Sequence, residues 1–358
     1  MRKPLYVGLP VMLHKEPEIQ AFLKAKERIE SYGQSAGFPM EVGAFLFFIS
    51  PALKPENKEL QVKNQQRYGL PIFHAQSTWQ LKHNLSYSKE QDPSCNGSDQ
   101  MEEVIRQTAE LGKSGSQKIP IDVSLNVGVY LCGFVPVPSL SPSLYTLDDF
   151  LSRKEALFQR NISRFSQLEQ FARENGVEIA LENAITAVFV PHPHFSKIDP
   201  TPRMYPHVFN DFWSMKAISN GKFVLDTAHW AAGESTPRII EQNATSIDKE
   251  IIFKMEGINS WDEYKKNHPS LSQHFPYTKA FHLSNSTGIG VYLDEALSKR
   301  WGEVGTVEGI ISKADFRDIL SHASEYGKPA IVEVDYDIKN IPVNHFREAD
   351  ELLRYIIE

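Results

Sequence analysis

The stretch Lys222–Gly233, KFVLDTAHWAAG, decides the fold. Its apolar, β-type run Phe223-Val224-Leu225 ends on a carboxylate, Asp226, and an imidazole follows three residues later at His229. Three other runs end the same way. Glu178–Asn183 (EIALEN) reaches Glu182, Lys279–Asn285 (KAFHLSN) carries His282, and Ala330–Asp335 (AIVEVD) carries Glu333. In a parallel β/α architecture the C-terminal strand ends share one face, so four metal-competent side chains converge there. The pattern predicts a metal site at the mouth of a barrel.

Working outward, eight short apolar runs appear: Leu5–Leu13, Glu41–Ile49, Leu70–Ala75, Ile121–Val129, Val177–Glu182, and the three that hold Asp226, His282 and Glu333. Helical patterns separate most of them, at Pro17–Tyr32, Pro55–Tyr68, Leu147–Asn175, Pro237–Met255 and Lys313–Tyr326, and His345–Ile357 closes the chain. Strand alternating with helix eight times predicts an α/β protein, a single-domain (β/α)8 TIM barrel over residues 1–358. The runs read as apolar throughout, as strands covered on both faces should. Long segments follow the strands at His83–Gly97, Leu131–Leu147, Ala184–Tyr205 and Ser286–Ser312, and such a barrel builds its pocket from loops on that side. Gly257–Thr278 precedes a strand instead and is expected at the opposite end.

The totals narrow the classes of function. The 358 residues carry 38 basic and 45 acidic side chains, a net charge of −7 with no Lys/Arg-rich run, which disfavours a phosphate-gripping nucleic-acid binder. No apolar stretch approaches the roughly 20 residues of a membrane span. Two cysteines, Cys95 and Cys132, make no C-x-x-C pair and suit a reducing, cytoplasmic setting. A small soluble ligand is the expected partner, and an oligomer is compatible with the sequence.

Three carboxylates and one imidazole make a hard, oxygen-rich donor set. It suits one divalent ion such as Mn, Mg, Fe, Co or Zn more than a thiolate metal. Any one carboxylate at a strand end has a plain alternative, capping the next helix or pairing with lysine. For three carboxylates and an imidazole on four successive strands, that alternative weakens sharply.

ALEN, VLDTAHWAAG, FHLSNST and VEVD resemble the strand-5 to strand-8 motifs of the xylose isomerase-like TIM-barrel superfamily, which includes ketose 3-epimerases and endonuclease IV-type AP endonucleases (AP endonuclease family 2). The resemblance covers roughly Val177–Asp335. It implies that Glu182, Asp226, His282 and Glu333 hold one metal, that Glu182 and Glu333 act as an acid/base pair, and that His229 contacts substrate. It further implies a metal-dependent isomerase or epimerase, or a dehydratase, acting beside a carbonyl of a small polyhydroxy compound. DTAHWAAG and HLSNST are similar to the endonuclease segments, and His74 matches a further zinc ligand there. After strand 4, however, the chain offers Asn126 and no imidazole, and Lys299-Arg300-Trp301 stands where those enzymes carry Asp-x-His. The epimerase pattern also departs, with Gly288 where an arginine grips substrate. A phosphodiesterase acting on abasic DNA is thus the second reading, and a non-catalytic metal- and ligand-binding barrel the third. Candidate substrate contacts are His74, Asn126, His229, Trp230, Arg300 and Trp301, and Tyr6 and Trp79 are further aromatic candidates for the mouth.

Overall fold

Eight strands close into one parallel barrel. They are β1 (Leu5–Pro10), β2 (Met40–Ile49), β3 (Ile72–Ser77), β4 (Asp122–Leu125), β5 (Glu178–Glu182), β6 (Phe223–Asp226), β7 (Thr278–Leu283) and β8 (Pro329–Val332), and β8 returns to pair with β1. The structure, a computed structural model, describes residues 3–49, 53–77, 97–125, 130–132, 144–184, 187–189, 204–243, 246–286, 303–304, 309–333 and 341–358. Among the described residues, no helix is long and apolar enough to cross a membrane.

The helices form where amphipathic spacing meets good end signals. In α1 (Glu16–Ser35), Ile19, Phe22, Ala25 and Ile29 recur every three or four residues and are buried against the barrel, while Pro17 and two acidic residues occupy the first turn. α2 (Pro55–Tyr68) stops at Gly69, whose φ of 56° closes a left-handed cap. α3 spans Gly97–Lys113, and α4, Leu147–Glu174, is the 28-residue helix that Leu147–Asn175 predicts. Then come α5 (Phe212–Ile218), α6 (Thr227–Asn243), α7 (Ser246–Glu256), α8 (Trp261–Asn267) and α9 (Leu271–His274). α10 (Lys313–Tyr326) opens with a reciprocal capping box between Ser312 and Asp315 and ends at Gly327 (φ 66°), and α11 (Ile341–Ile357) closes the chain.

The main core lies between barrel and helices, with Leu5, Phe22, Phe165, Phe223, Phe281, Phe316 and Leu353 fully or almost fully buried. Each such side chain contributes about 1.5–3 kcal/mol by leaving water. The barrel interior is narrower. Gly8 faces Ile331 across the β1–β8 pair, and a Cβ on Gly8 would stand 2.2 Å from Ile331 Cδ1, so a side chain there would force the Ile331 end methyl to move.

Four expectations need correction. The helix expected over Pro237–Met255 is two helices; α6 begins at Thr227, and Pro237 lies inside it. α3 and α5 were not foreseen. Gly257–Thr278 does not sit at the far end alone, because the Pro269 carbonyl accepts a hydrogen bond from Trp230 Nε1, in the first turn of α6 at the C-terminal face. Tyr6 pairs in register with Pro329 at the starts of β1 and β8 and packs edge-on against Phe73, at the end away from the mouth.

Candidate metal centre

Parallel register brings the four predicted groups to one end. Glu182 and Asp226 are the last residues of β5 and β6; Asp226 stands directly opposite His282 on β7, and Glu333 follows β8, its N–H donating to the Leu283 carbonyl at 3.1 Å. Ligand atoms of Glu182, Asp226 and His282 all lie within 4.8 Å of one another, and all three residues are buried. Glu333 joins through His282, its Oε2 2.9 Å from Nδ1.

His282 Nδ1 lies 3.5 Å from Glu182 and 2.9 Å from Glu333, yet neither ring nitrogen has an aligned hydrogen-bond partner. Buried ligand atoms gathered this closely are what a divalent cation with ~2.0–2.2 Å ligand bonds requires. Electrostatics agree. Burial works against the His282 imidazolium, but the carboxylates of Glu182 and Glu333 outweigh it and hold the ring well above the ordinary histidine range. The pocket therefore calls for positive charge, and these residues fit a divalent ion.

A second set of side chains fixes the first. The Gln76 amide, on β3, donates to both Glu182 oxygens at 3.1 and 3.0 Å. Asn183 brackets the Asp226 peptide, accepting from its N–H at 2.7 Å and donating to its carbonyl at 2.9 Å. Thr227 Oγ1 donates to the His282 carbonyl and accepts from Ser284 N–H, both at 3.1 Å, tying β6 to β7. Replacing Asn183 with Ala should cost about 1–3 kcal/mol in urea unfolding, because the buried Asp226 peptide would lose both partners; an unchanged midpoint would contradict this bracket.

His229 makes the backbone hydrogen bond of an ordinary helix-start histidine and more. Its Nδ1 meets the Asn183 carbonyl at 2.8 Å and lies 3.3 Å from Asp226 Oδ2, and its N–H donates to Asp226 Oδ1 at 3.0 Å. A carbonyl accepts only, so Nδ1 carries a proton toward Asn183. His207 lies near enough to feel His229; burial, then that neighbour, pushes its pKa down to about 3.

The remaining candidates scatter. His74 is wholly buried, edge-on to His282 with ring centroids 4.9 Å apart, and does not join the three-residue cluster. Burial, then His282, keeps its pKa well below the usual value. Trp230 spends its indole N–H on Pro269 and packs against the core. Trp79, Asn126, Arg300 and Trp301 lie outside the described residues. Gln76 was missed, although a strand's period of two places it on the same face as His74. Asn183 and Thr227 sit within the quoted motifs, but residue type alone assigns them no partner.

Fold and cluster together define a (β/α)8 barrel with a divalent-metal-competent mouth. No protein-family model and no curated protein sequence matches the chain. Among solved structures it is similar to a protein from Rhodospirillum rubrum provisionally named a xylose isomerase, with TM-score 0.52, 13% identity, and coverage of 99% of this chain and 98% of that one. It is also similar to an L-ribulose 3-epimerase (TM-score 0.49, 13% identity, 99% and 93% covered). A D-tagatose 3-epimerase-like protein matches at TM-score 0.46 and 14% identity over 100% and 97% of the two chains. The first of these likenesses agrees with the barrel that the strand order closes.

Proposed function

We propose that the protein is a divalent-metal-dependent isomerase or epimerase that moves a proton next to the carbonyl of a small sugar-like substrate. The convergence of Glu182, Asp226 and His282, with Glu333 against His282, carries this reading. A divalent ion held by these four residues would supply positive charge to substrate oxygen as negative charge develops there. Glu182 and Glu333 approach His282 from two different strands, so one carboxylate can take a proton from the substrate carbon and the other return one. Glu333 suits the first contact with substrate because it is only partly buried, whereas Glu182 is enclosed and held by Gln76. His229, held at the mouth by Asn183 and Asp226, would contact a substrate oxygen.

The test is proton exchange. The protein is loaded with Mn²⁺ or Co²⁺ and incubated in D₂O with a panel of keto-sugars and keto-inositols, and ¹H NMR follows the hydrogen beside the carbonyl. Loss of that signal, abolished in Glu333→Gln, is expected. A metal-loaded protein that exchanges no substrate proton but nicks abasic DNA would replace this reading with the hydrolytic one.

A further inference from the structure

Down the inner wall formed by β3 and β4, four side chains hold buried polar atoms that have no hydrogen-bond partner. They are both ring nitrogens of His74, Oε1 of Gln76, Oδ1 of Asp122 and Oγ of Ser124. The register sets His74 opposite Asp122 and Gln76 opposite Ser124, so all four share one face. That face is the barrel interior, since the His74 ring meets His282 and the Gln76 amide reaches Glu182. None of the four is more than 5% exposed.

Left dry, each such atom costs about 1–3 kcal/mol, and folded proteins satisfy them with ordered water where space allows. On the β2 side Phe45 packs on the His74 ring, whereas on the β5 side the wall is made of small side chains. Ala180 is the register partner of Ser124, and it forms a separate buried cluster with Val224 and Ala280. Two steps along a strand span about 6–7 Å, a length that suits about two waters.

We propose that the interior beneath the metal centre is a built water site, a file of ordered waters bonded to Asp122, His74 and Ser124 and ending on the Gln76 amide that holds Glu182. The file joins the barrel floor to the metal centre through exchangeable protons. At its lower end burial, then Glu178, pushes the Asp122 carboxyl up to about 7, while Lys279, Lys222 and Lys328 pull it back. The assignment stands whether or not the mouth is catalytic, because it rests on the β3–β4 stripe alone.

A crystal structure of the full chain, metal-free and detailed enough to show solvent, tests it. Density within hydrogen-bond distance of Asp122 Oδ1, Ser124 Oγ and a His74 nitrogen is expected. A stripe without density, or an anomalous metal peak on His74, would overturn the proposal. Ser124→Ala supplies a second readout. With waters in place it removes one of their partners and lowers Tm by about 1–3 °C. In a dry stripe it removes an orphaned hydroxyl, and an unchanged or higher Tm would count against the file.

Discussion

Replacing Asp226 with Asn is expected to weaken Mn²⁺ or Co²⁺ binding about 100-fold or more, about 2.7 kcal/mol, while leaving the fold intact. The two halves of this expectation come from different atoms. The metal loses an anionic ligand from a buried cluster whose other members, Glu182 and His282, cannot move closer because their strands are pinned by Asn183 and Thr227. The fold keeps its contact, because an amide oxygen at position 226 can still accept from His229 N–H, as Oδ1 does at 3.0 Å. Isothermal titration with each metal, beside a urea melt of the metal-free protein, separates the two. Equal loss of stability and affinity would mean that Asp226 serves the fold alone. Affinity should also rise with pH in the wild type, since the carboxylates hold His282 protonated above the usual range and metal uptake must release that proton.

Replacing Asp122 with Asn should stabilise the protein by about 2–4 kcal/mol at pH 8 and by almost nothing at pH 3.5. Burial is the main reason that the folded-state pKa of Asp122 stands at about 7 against an ordinary 3.8, with Glu178 adding to it. The folded chain therefore keeps this proton through a window in which the unfolded chain has lost it. Stability attributable to Asp122 is fully present below about 4 and declines as pH rises to about 7, because ν_U falls below ν_N across that range. Above pH 7 the native state carries a buried carboxylate that Asn would remove. Tm measured across pH 4–8 for both proteins should diverge steadily. Parallel curves would show that Asp122 ionises normally, the lysines around it offsetting its burial.

The barrel and its metal-competent strand ends were legible because both depend on local pattern. Phe223-Val224-Leu225 reads as a strand wherever it occurs, and a carboxylate or imidazole at its end reads as a candidate ligand whatever lies beside it. Glu182, Asp226, His282 and Glu333 therefore came directly from the residues. What depends on register was not legible. Gln76 reaches Glu182 only because β3 and β5 flank β4 at matching heights, and 106 residues separate the pair in sequence. The alternation of Asp122 and Ser124 along β4 was hidden within a run read as uniformly apolar. Helix ends followed the same division. Gly69, Gly176 and Gly327 mark theirs by left-handed φ, whereas α6 begins directly at the metal-ligand strand, where Thr227 turns back to bond β7 instead of capping its own helix.

The most direct test of the central claim is elemental analysis of the protein purified without chelator or nickel affinity, beside Glu182→Gln prepared identically. About one divalent metal ion per chain in the wild type and a clear loss in the variant are predicted. A wild-type protein that stays metal-free after reconstitution with Mn²⁺, Co²⁺, Fe²⁺, Mg²⁺ and Zn²⁺ would contradict the account, and equal metal content in the two proteins would place the ion elsewhere.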